Sequence, residues 1–211
     1  LTVADGDTAY LQAGTEFLFD GQYNFNIYGT LKAIGTETDS IIFDNYGNDR
    51  WRGFTLDNTS DETIFEYVRI SGAEKGDGGG MYLDNSNPTL INVTITNNTA
   101  SSYFDGRGGG MYLSSSNPTL TNVTISNNTA SYFGGGMRLR FSNPTLTHVT
   151  ISNNTASYYG GGMDLYLSNP TLNHVTISDN TADLNGGGMY IRDYSNPTLT
   201  NSIIWDNSPE S

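Results

Sequence analysis

Three of the nine Lys and Arg residues of this chain, Arg138, Arg140 and Arg192, fall in one recurring motif with the carboxylate Asp164 and with Tyr82, Tyr112, Tyr166 and Tyr190. The motif is three glycines, a methionine, a variable residue, Leu or Ile, and a second variable residue. Its triplets start at 78, 108, 134, 160 and 186, and the variable pairs read Tyr82/Asp84, Tyr112/Ser114, Arg138/Arg140, Asp164/Tyr166 and Tyr190/Arg192. These residue types support two chemistries. Tyrosine rings stack on sugar faces while guanidinium and carboxylate groups bond hydroxyls or acids, which makes a ligand-binding strip. Alternatively, Arg138 or Arg140 abstracts a proton and Asp164 acts as acid or binds a cation, which makes a catalytic one. A structural reading stands beside both: Arg, Asp and Arg stacked on a surface neutralise one another, and exposed pairs of that kind contribute little.

What lines these residues up is the repeat that carries them. Five copies run through the chain, from GGGMYLDNSNPTLINVTITNNTA (78–100) to GGGMYIRDYSNPTLTNSIIWDNS (186–208), in steps of 30, 26, 26 and 26 residues. A fixed period of this size means a solenoid. A weaker copy, 51–73, precedes them, residues 23–49 read as a worn coil, and 1–22 start or cap the stack. The whole of 1–211 is therefore read as one domain, with a cap and degenerate coils over 1–49 and regular coils over 50–211.

Three Gly, one Pro and many β-branched residues per unit make it strand-rich rather than helical. Two strands per unit are expected. In the first, Met and Leu (or Ile) are two apart, so all five Met of the chain form one interior row. In the second, Val93 and Ile95 face inward and Asn92, Thr94 and Thr96 outward, a pattern that recurs at 122–126, 148–152 and 174–178. The Ser-Asn-Pro segments mark one corner, since proline fixes φ and starts the next segment. The second Asn of each Asn-Asn-Thr-Ala corner (Asn98, Asn128, Asn154, with Asn180 and Asn207 equivalent) is expected to take the left-handed conformation and to stack as an amide ladder. The Gly triplet makes a third bend. The fold class is all-β: a right-handed, single-stranded parallel β-helix of about seven to eight coils with about 26 residues each, rising ~4.8 Å per coil.

The series Gly-Gly-Gly-Met-x-Leu followed by Ile-x-x-Asn-x-Ala (Ile95/Asn98/Ala100, Ile125/Asn128/Ala130, Ile151/Asn154/Ala156, Ile177/Asn180/Ala182) resembles the repeats of polymorphic outer-membrane and autotransporter-type passengers. More broadly it is similar to right-handed parallel β-helix proteins of the pectate-lyase-like superfamily. The chain departs from the passenger pattern in carrying Ile where they prefer Phe, and in its Pro corner. The resemblance implies the fold and leaves function open, because the superfamily holds polysaccharide lyases and hydrolases, adhesins and phage tailspikes. It also implies that the first sheet and its turns form the glycan groove. The candidate ligand-binding residues are therefore Tyr82, Tyr112, Arg138, Arg140, Asp164, Tyr166, Tyr190 and Arg192. Aromatic residues just before the triplets, Tyr103/Phe104, Tyr132/Phe133 and Tyr158/Tyr159, extend the strip.

The net charge is −13, which argues against nucleic acid and against an anionic membrane surface. There is no Cys, hence no disulfide or thiolate site, and no apolar run approaches the ~20 residues of a membrane span. No cofactor or metal is expected. A polysaccharide hydrolase wants two carboxylates across one bond, but Asp84 and Asp164 are three coils apart, about 14 Å, and Asp193 is on an uncertain side. A lyase wants carboxylates clustered for calcium, and none cluster. The turns are short, where enzymes of this scaffold carry long insertions.

Two further rows carry hydroxyl and imidazole groups. Thr94, Thr124, Thr150 and Thr176 beside Thr96, Ser126, Ser152 and Ser178 make a flat hydroxyl face, either ice- or crystal-binding or simply Thr suited to an exposed strand. Asn92, Asn122, His148, His174 and Asn201 form a row whose two stacked imidazoles can grip a metal or merely replace Asn. In the last copy Ile203 and Trp205 fall on outward positions and are candidate assembly residues. The sequons at Asn58, Asn92, Asn97, Asn122, Asn127 and Asn153 accompany the repeat. The expected function is a non-catalytic segment of an extracellular, bacterial cell-surface protein: spacer, adhesin or fibre subunit, touching glycans or like subunits end-to-end or laterally. A carbohydrate-active enzyme is the alternative, and an ice- or crystal-binding surface the second alternative.

Overall fold

The computed structural model of the protein describes residues 1–102 and 105–210; Tyr103 and Phe104 of the candidate strip lie outside them. Among the described residues every regular element is a strand. Three parallel sheets of eight strands and a short one of five make eight turns of a solenoid. Sheet one runs from Thr2–Val3 through Met81–Asp84, Met111–Ser114, Met137–Arg140 and Met163–Tyr166 to Met189–Arg192. Sheet two ends in Thr198–Thr200, sheet three in Ile203–Trp205, and the short sheet stacks Glu74–Lys75 on four Thr-Ala pairs.

Register follows the repeat letter by letter. Met81, Met111, Met137, Met163 and Met189 pair in succession, all of them buried. Leu90, Leu120, Leu146 and Leu172 stack in sheet two, and Ile95, Ile125, Ile151 and Ile177 in sheet three. Period-two alternation sends these rows inward and their neighbours outward. The first coils fill the same interior differently, with Phe17, Phe19, Phe25, Phe43, Trp51, Phe54 and Phe65 in stacked and edge-on contact at 4.5–5.9 Å between partners such as Phe19–Trp51 and Phe25–Phe43.

The expected second strand is two strands. Asn92, Asn122, His148, His174 and Asn201 have φ between 51° and 54–55° and turn the chain from sheet two to sheet three. They are therefore bend residues, not neighbours of the Thr rows on one strand. The left-handed residue of the next corner is also displaced by one: it is Asn97, Asn127, Asn153, Asp179 and Asp206, not the Asn that follows. The reason is division of labour. The first residue takes the strained φ and points its side chain out, while the second turns inward to satisfy backbone groups that the corner would strand.

That inward amide forms the expected ladder. Asn128 donates its backbone N–H and its Nδ2 to Asn154 Oδ1 at 2.9 and 3.0 Å, and its Nδ2 also to the Ile95 carbonyl at 3.0 Å. The same pattern joins Asn98 to Asn128, Asn154 to Asn180 and Asn180 to Asn207. A second ladder runs through the Ser of each Ser-Asn-Pro corner. Ser86, Ser116, Ser142 and Ser168 each donate N–H to the hydroxyl of the next coil's Ser at 3.0 Å. The Ser86, Ser116, Ser142 and Ser168 hydroxyls turn back to the carbonyl two residues earlier, so each hydroxyl both donates and accepts.

Candidate functional site

The first glycine of each triplet decides where the strip lies. Gly78, Gly108, Gly134, Gly160 and Gly186 have φ of 63–68°, and a Cβ at Gly134 would lie 2.3 Å from the Met137 carbonyl. This reversal carries the residue before the triplet back across the outer face of sheet one. Asp77, Arg107, Phe133, Tyr159 and Asn185 pair coil to coil there as a second, outer row.

Beneath that row lies the first candidate row, Tyr82, Tyr112, Arg138, Asp164 and Tyr190, in unbroken register. It faces outward as expected, but its middle does not meet water: Tyr112 and Arg138 are each 4% exposed and Asp164 0%. The accessible candidates are those of the second row and the two ends of the first. Arg140 is exposed, and Tyr166, Arg192, Tyr82 and Tyr190 are half-buried.

The buried segment is a charge cluster under aromatic rings. Asp164 forms an ion pair with Arg138, and its other oxygen lies 3.4 Å from Arg192 Nε. The Arg138 guanidinium sits 5.0 Å from the Phe133 ring centroid and 5.7 Å from that of Tyr166. Arg192 shares both rings, at 4.5 and 5.1 Å. Tyr159 stacks on Tyr190 at 4.6 Å and on Phe133 at 5.6 Å. Burial, and next the repulsion of Arg192, push the Arg138 guanidinium down from 12.5 to about 9, so it stays charged at neutral pH against the Asp164 carboxylate.

Further up the stack the same arrangement recurs with other partners. Arg107 donates Nε and Nη2 to Asp77 at 3.0 and 2.8 Å and lies 5.4 Å from the Tyr112 centroid. Burial acts to lower Arg107, but the hydrogen bonds and charge of Asp77 raise it on balance. Lys75 donates to Thr55 Oγ1 and lies 5.3 Å from the Tyr82 centroid, and burial lowers its amine from 10.5 to about 8 against the opposing pull of Asp77. The Tyr82 phenol is raised from 10.0, first by burial and next by Asp84.

At the accessible edge Arg140 lies 4.6 Å from the Phe141 centroid, and Phe141 meets Tyr166 edge-on at 5.6 Å. Cation and rings therefore adjoin in one exposed patch. Asp193 sits at a left-handed bend, exposed and off the strip, so it does not face Asp164. The second row does hold a carboxylate pair that sequence reasoning missed: Asp57 is the in-register partner of Asp84, one coil away. The worn copy at 51–73 hid it. The cover supplied by Asp77, Arg107, Phe133 and Tyr159 was also missed, although the aromatic residues before the triplets were its visible trace.

The remaining candidates are placed as follows. The Thr94 and Thr96 rows lie outward on sheet three, half-buried except for the buried Ser178, and end in register with Ile203 and Trp205. Trp205 is 61% exposed, and the inward residue between them, Ile204, is 37% exposed at the open end. Ile204, Trp205, Asp206, Asn207 and Glu210 line a hollow of about 370 Å³ there. His148 and His174 are exposed and stacked, with centroids 4.9 Å apart. Among the described residues no three His, Cys, Asp or Glu gather as a metal cluster, and no helix is long and apolar enough to cross a membrane.

Compared with known proteins, residues 2–204 match the model of a family described as right handed beta helix region. No curated protein and no solved structure matches the chain.

Proposed function

We propose that this chain, which belongs to the family of right-handed β-helix regions, is a non-catalytic rod of an extracellular or cell-surface protein, a spacer or adhesive segment that contacts glycans along the outer face of sheet one. The observation that carries the reading is the state of Asp164. It is fully buried and held between Arg138 and Arg192, so it is not poised to exchange a proton with a substrate. What the accessible edge offers instead is recognition chemistry. Arg140 and Arg192 supply forked donors, and Phe141 and Tyr166 supply ring faces beside them.

A second reading, a carbohydrate-active enzyme, draws on Asp57 and Asp84, whose carboxylates stand on adjacent coils of the same face. One experiment separates the two. A glycan array probed with the wild-type chain, Arg140→Ala and Tyr166→Ala is expected to show binding that each change reduces at least tenfold, with no release of reducing or unsaturated ends. Turnover of any polysaccharide that Asp84→Asn abolishes would favour the enzyme and defeat the first reading.

A further inference from the structure

We infer that the corner formed by His148 and His174 is a two-imidazole site for a divalent transition metal of the Cu²⁺, Ni²⁺ and Zn²⁺ class. The inference stands apart from the glycan reading, because this corner joins sheets two and three.

Position comes first. The equivalent residue is Asn in the coils before and after, at Asn92, Asn122 and Asn201, and His only in two adjacent coils. These are the only two His of the chain, and there is no Cys. His148 and His174 share the same left-handed backbone, with φ of 54° and 55°. Two side chains leaving identical bends one coil apart must leave in parallel, and they do: the rings stack at 4.9 Å with 27° between their planes.

Two exposed rings stacked at this distance are close enough to turn one nitrogen each toward a common point. A metal bound by two imidazoles needs each nitrogen about 2.0–2.1 Å away, hence the two nitrogens roughly 3 Å apart. Closing from 4.9 Å between ring centres takes a tilt of the rings toward each other, and broad terminal torsions give exposed histidines that freedom. Among the described residues no side-chain hydrogen bond or ion pair engages either imidazole, so nothing has to be broken first. Imidazole is the ligand type these metals prefer, whereas Mg²⁺ and Ca²⁺ seek oxygen. Asn122 and Asn201 flank the pair in the same row. With no third His, Cys, Asp or Glu gathered at the corner among the described residues, the other coordination positions fall to water or an external donor. The expected site is an open surface one of moderate affinity.

The test uses the full chain freed of metal and titrated with Ni²⁺, Cu²⁺ or Zn²⁺ alone by calorimetry. His148→Asn and His174→Asn are the chosen variants because Asn fills this bend in three other coils, at 92, 122 and 201, so their unliganded melting curves should match the wild type. One ion per chain is expected, weakened at least tenfold by either change and lost in the double variant. With Cu²⁺ the wild type should give an electron paramagnetic resonance spectrum with two coordinated imidazole nitrogens, a readout that needs no variant. Equal binding by wild type and double variant, or a spectrum with one nitrogen or none, overturns the inference.

Discussion

The first three coils and the last five enclose the same interior by opposite means. In the first three, the core changes from coil to coil: Phe17 against Phe43, Phe19 against Trp51, Phe43 edge-on to Phe54. Rings of different size and tilt interlock in one arrangement only. In the last five, Met lies over Met throughout, and from 78 to 182 Leu lies over Leu and Ile over Ile; only the last coil departs, with Ile191 over Leu165 and Ser202 in place of Val. Such a core is well packed but does not distinguish one coil from the next. Slipping by one whole coil would restore nearly every interior contact. The residues that do differ lie on the outer face of sheet one, and there the row is covered and charged in complementary sense, Arg138 beside Asp164. Individuality sits inside the solenoid where the repeat is worn, and outside where the repeat is regular.

The sharpest way to break that comparison is Asp164→Ala. It leaves Arg138 buried without its counter-charge, and a loss of about 3–5 kcal/mol in urea unfolding is expected. Replacing both Arg138 and Asp164 with Tyr, the residue this row carries at 82, 112 and 190, should recover most of that stability. It should also raise the fraction of slowly refolding molecules, since the row then matches its neighbours. A loss under ~1 kcal/mol for Asp164→Ala would show that the outer row is not what pins the regular coils.

The next effect tests what the regular half gained by repeating. Asn154→Ala removes the acceptor of Asn128 N–H and Nδ2 and the donor to the Ile125 carbonyl, all buried. The loss should be roughly 2–4 kcal/mol. The ladder starts at Asn98, which accepts from Ala73 N–H, and the coil of Ala73 has no amide at that place. A loss in Asn154→Ala no larger than for an exposed strand change such as Thr155→Ala would remove the ladder from the account.

The smallest effect concerns pH at the junction of the two halves. The Lys75 amine titrates at about 8 in the folded chain against 10.5 unfolded, so between those values the unfolded chain binds more protons. Through Lys75 stability therefore rises with pH across that window, by at most about 3 kcal/mol and by less in so far as solvent reaches the half-buried amine. The Tyr82 phenol acts the other way above 10.0, where the unfolded chain ionises first. The stability of the wild type relative to Lys75→Met should climb between pH 8 and 10.5, a difference in which the other groups titrating there cancel, and a flat difference would remove Lys75 from the account.

Much of this was legible beforehand. The spacing of the Gly triplets set the coil, the Met81/Leu83 alternation set the inward face, and Asn98 and its equivalents announced a ladder. The break at Asn92 had a trace in the sequence, Leu90 and Val93 both apolar yet three residues apart, which an unbroken two-residue alternation cannot send to one face; reading only 92–96 as the strand passed over it. The choice of Asn97 over Asn98 for the bend was not legible, since both residues tolerate it. In the strip, the row and its register were legible and its burial was not.

The letters alone determined that like stacks on like, because a fixed period with two-residue alternation allows only one winding around a dry interior. Only the folded chain decided which outward residues meet water. That depends on the reversal at Gly78 and its equivalents, which folds Phe133 and Tyr159 onto Arg138 and Asp164; both rows keep the period of the repeat, but the period does not say that one lies over the other.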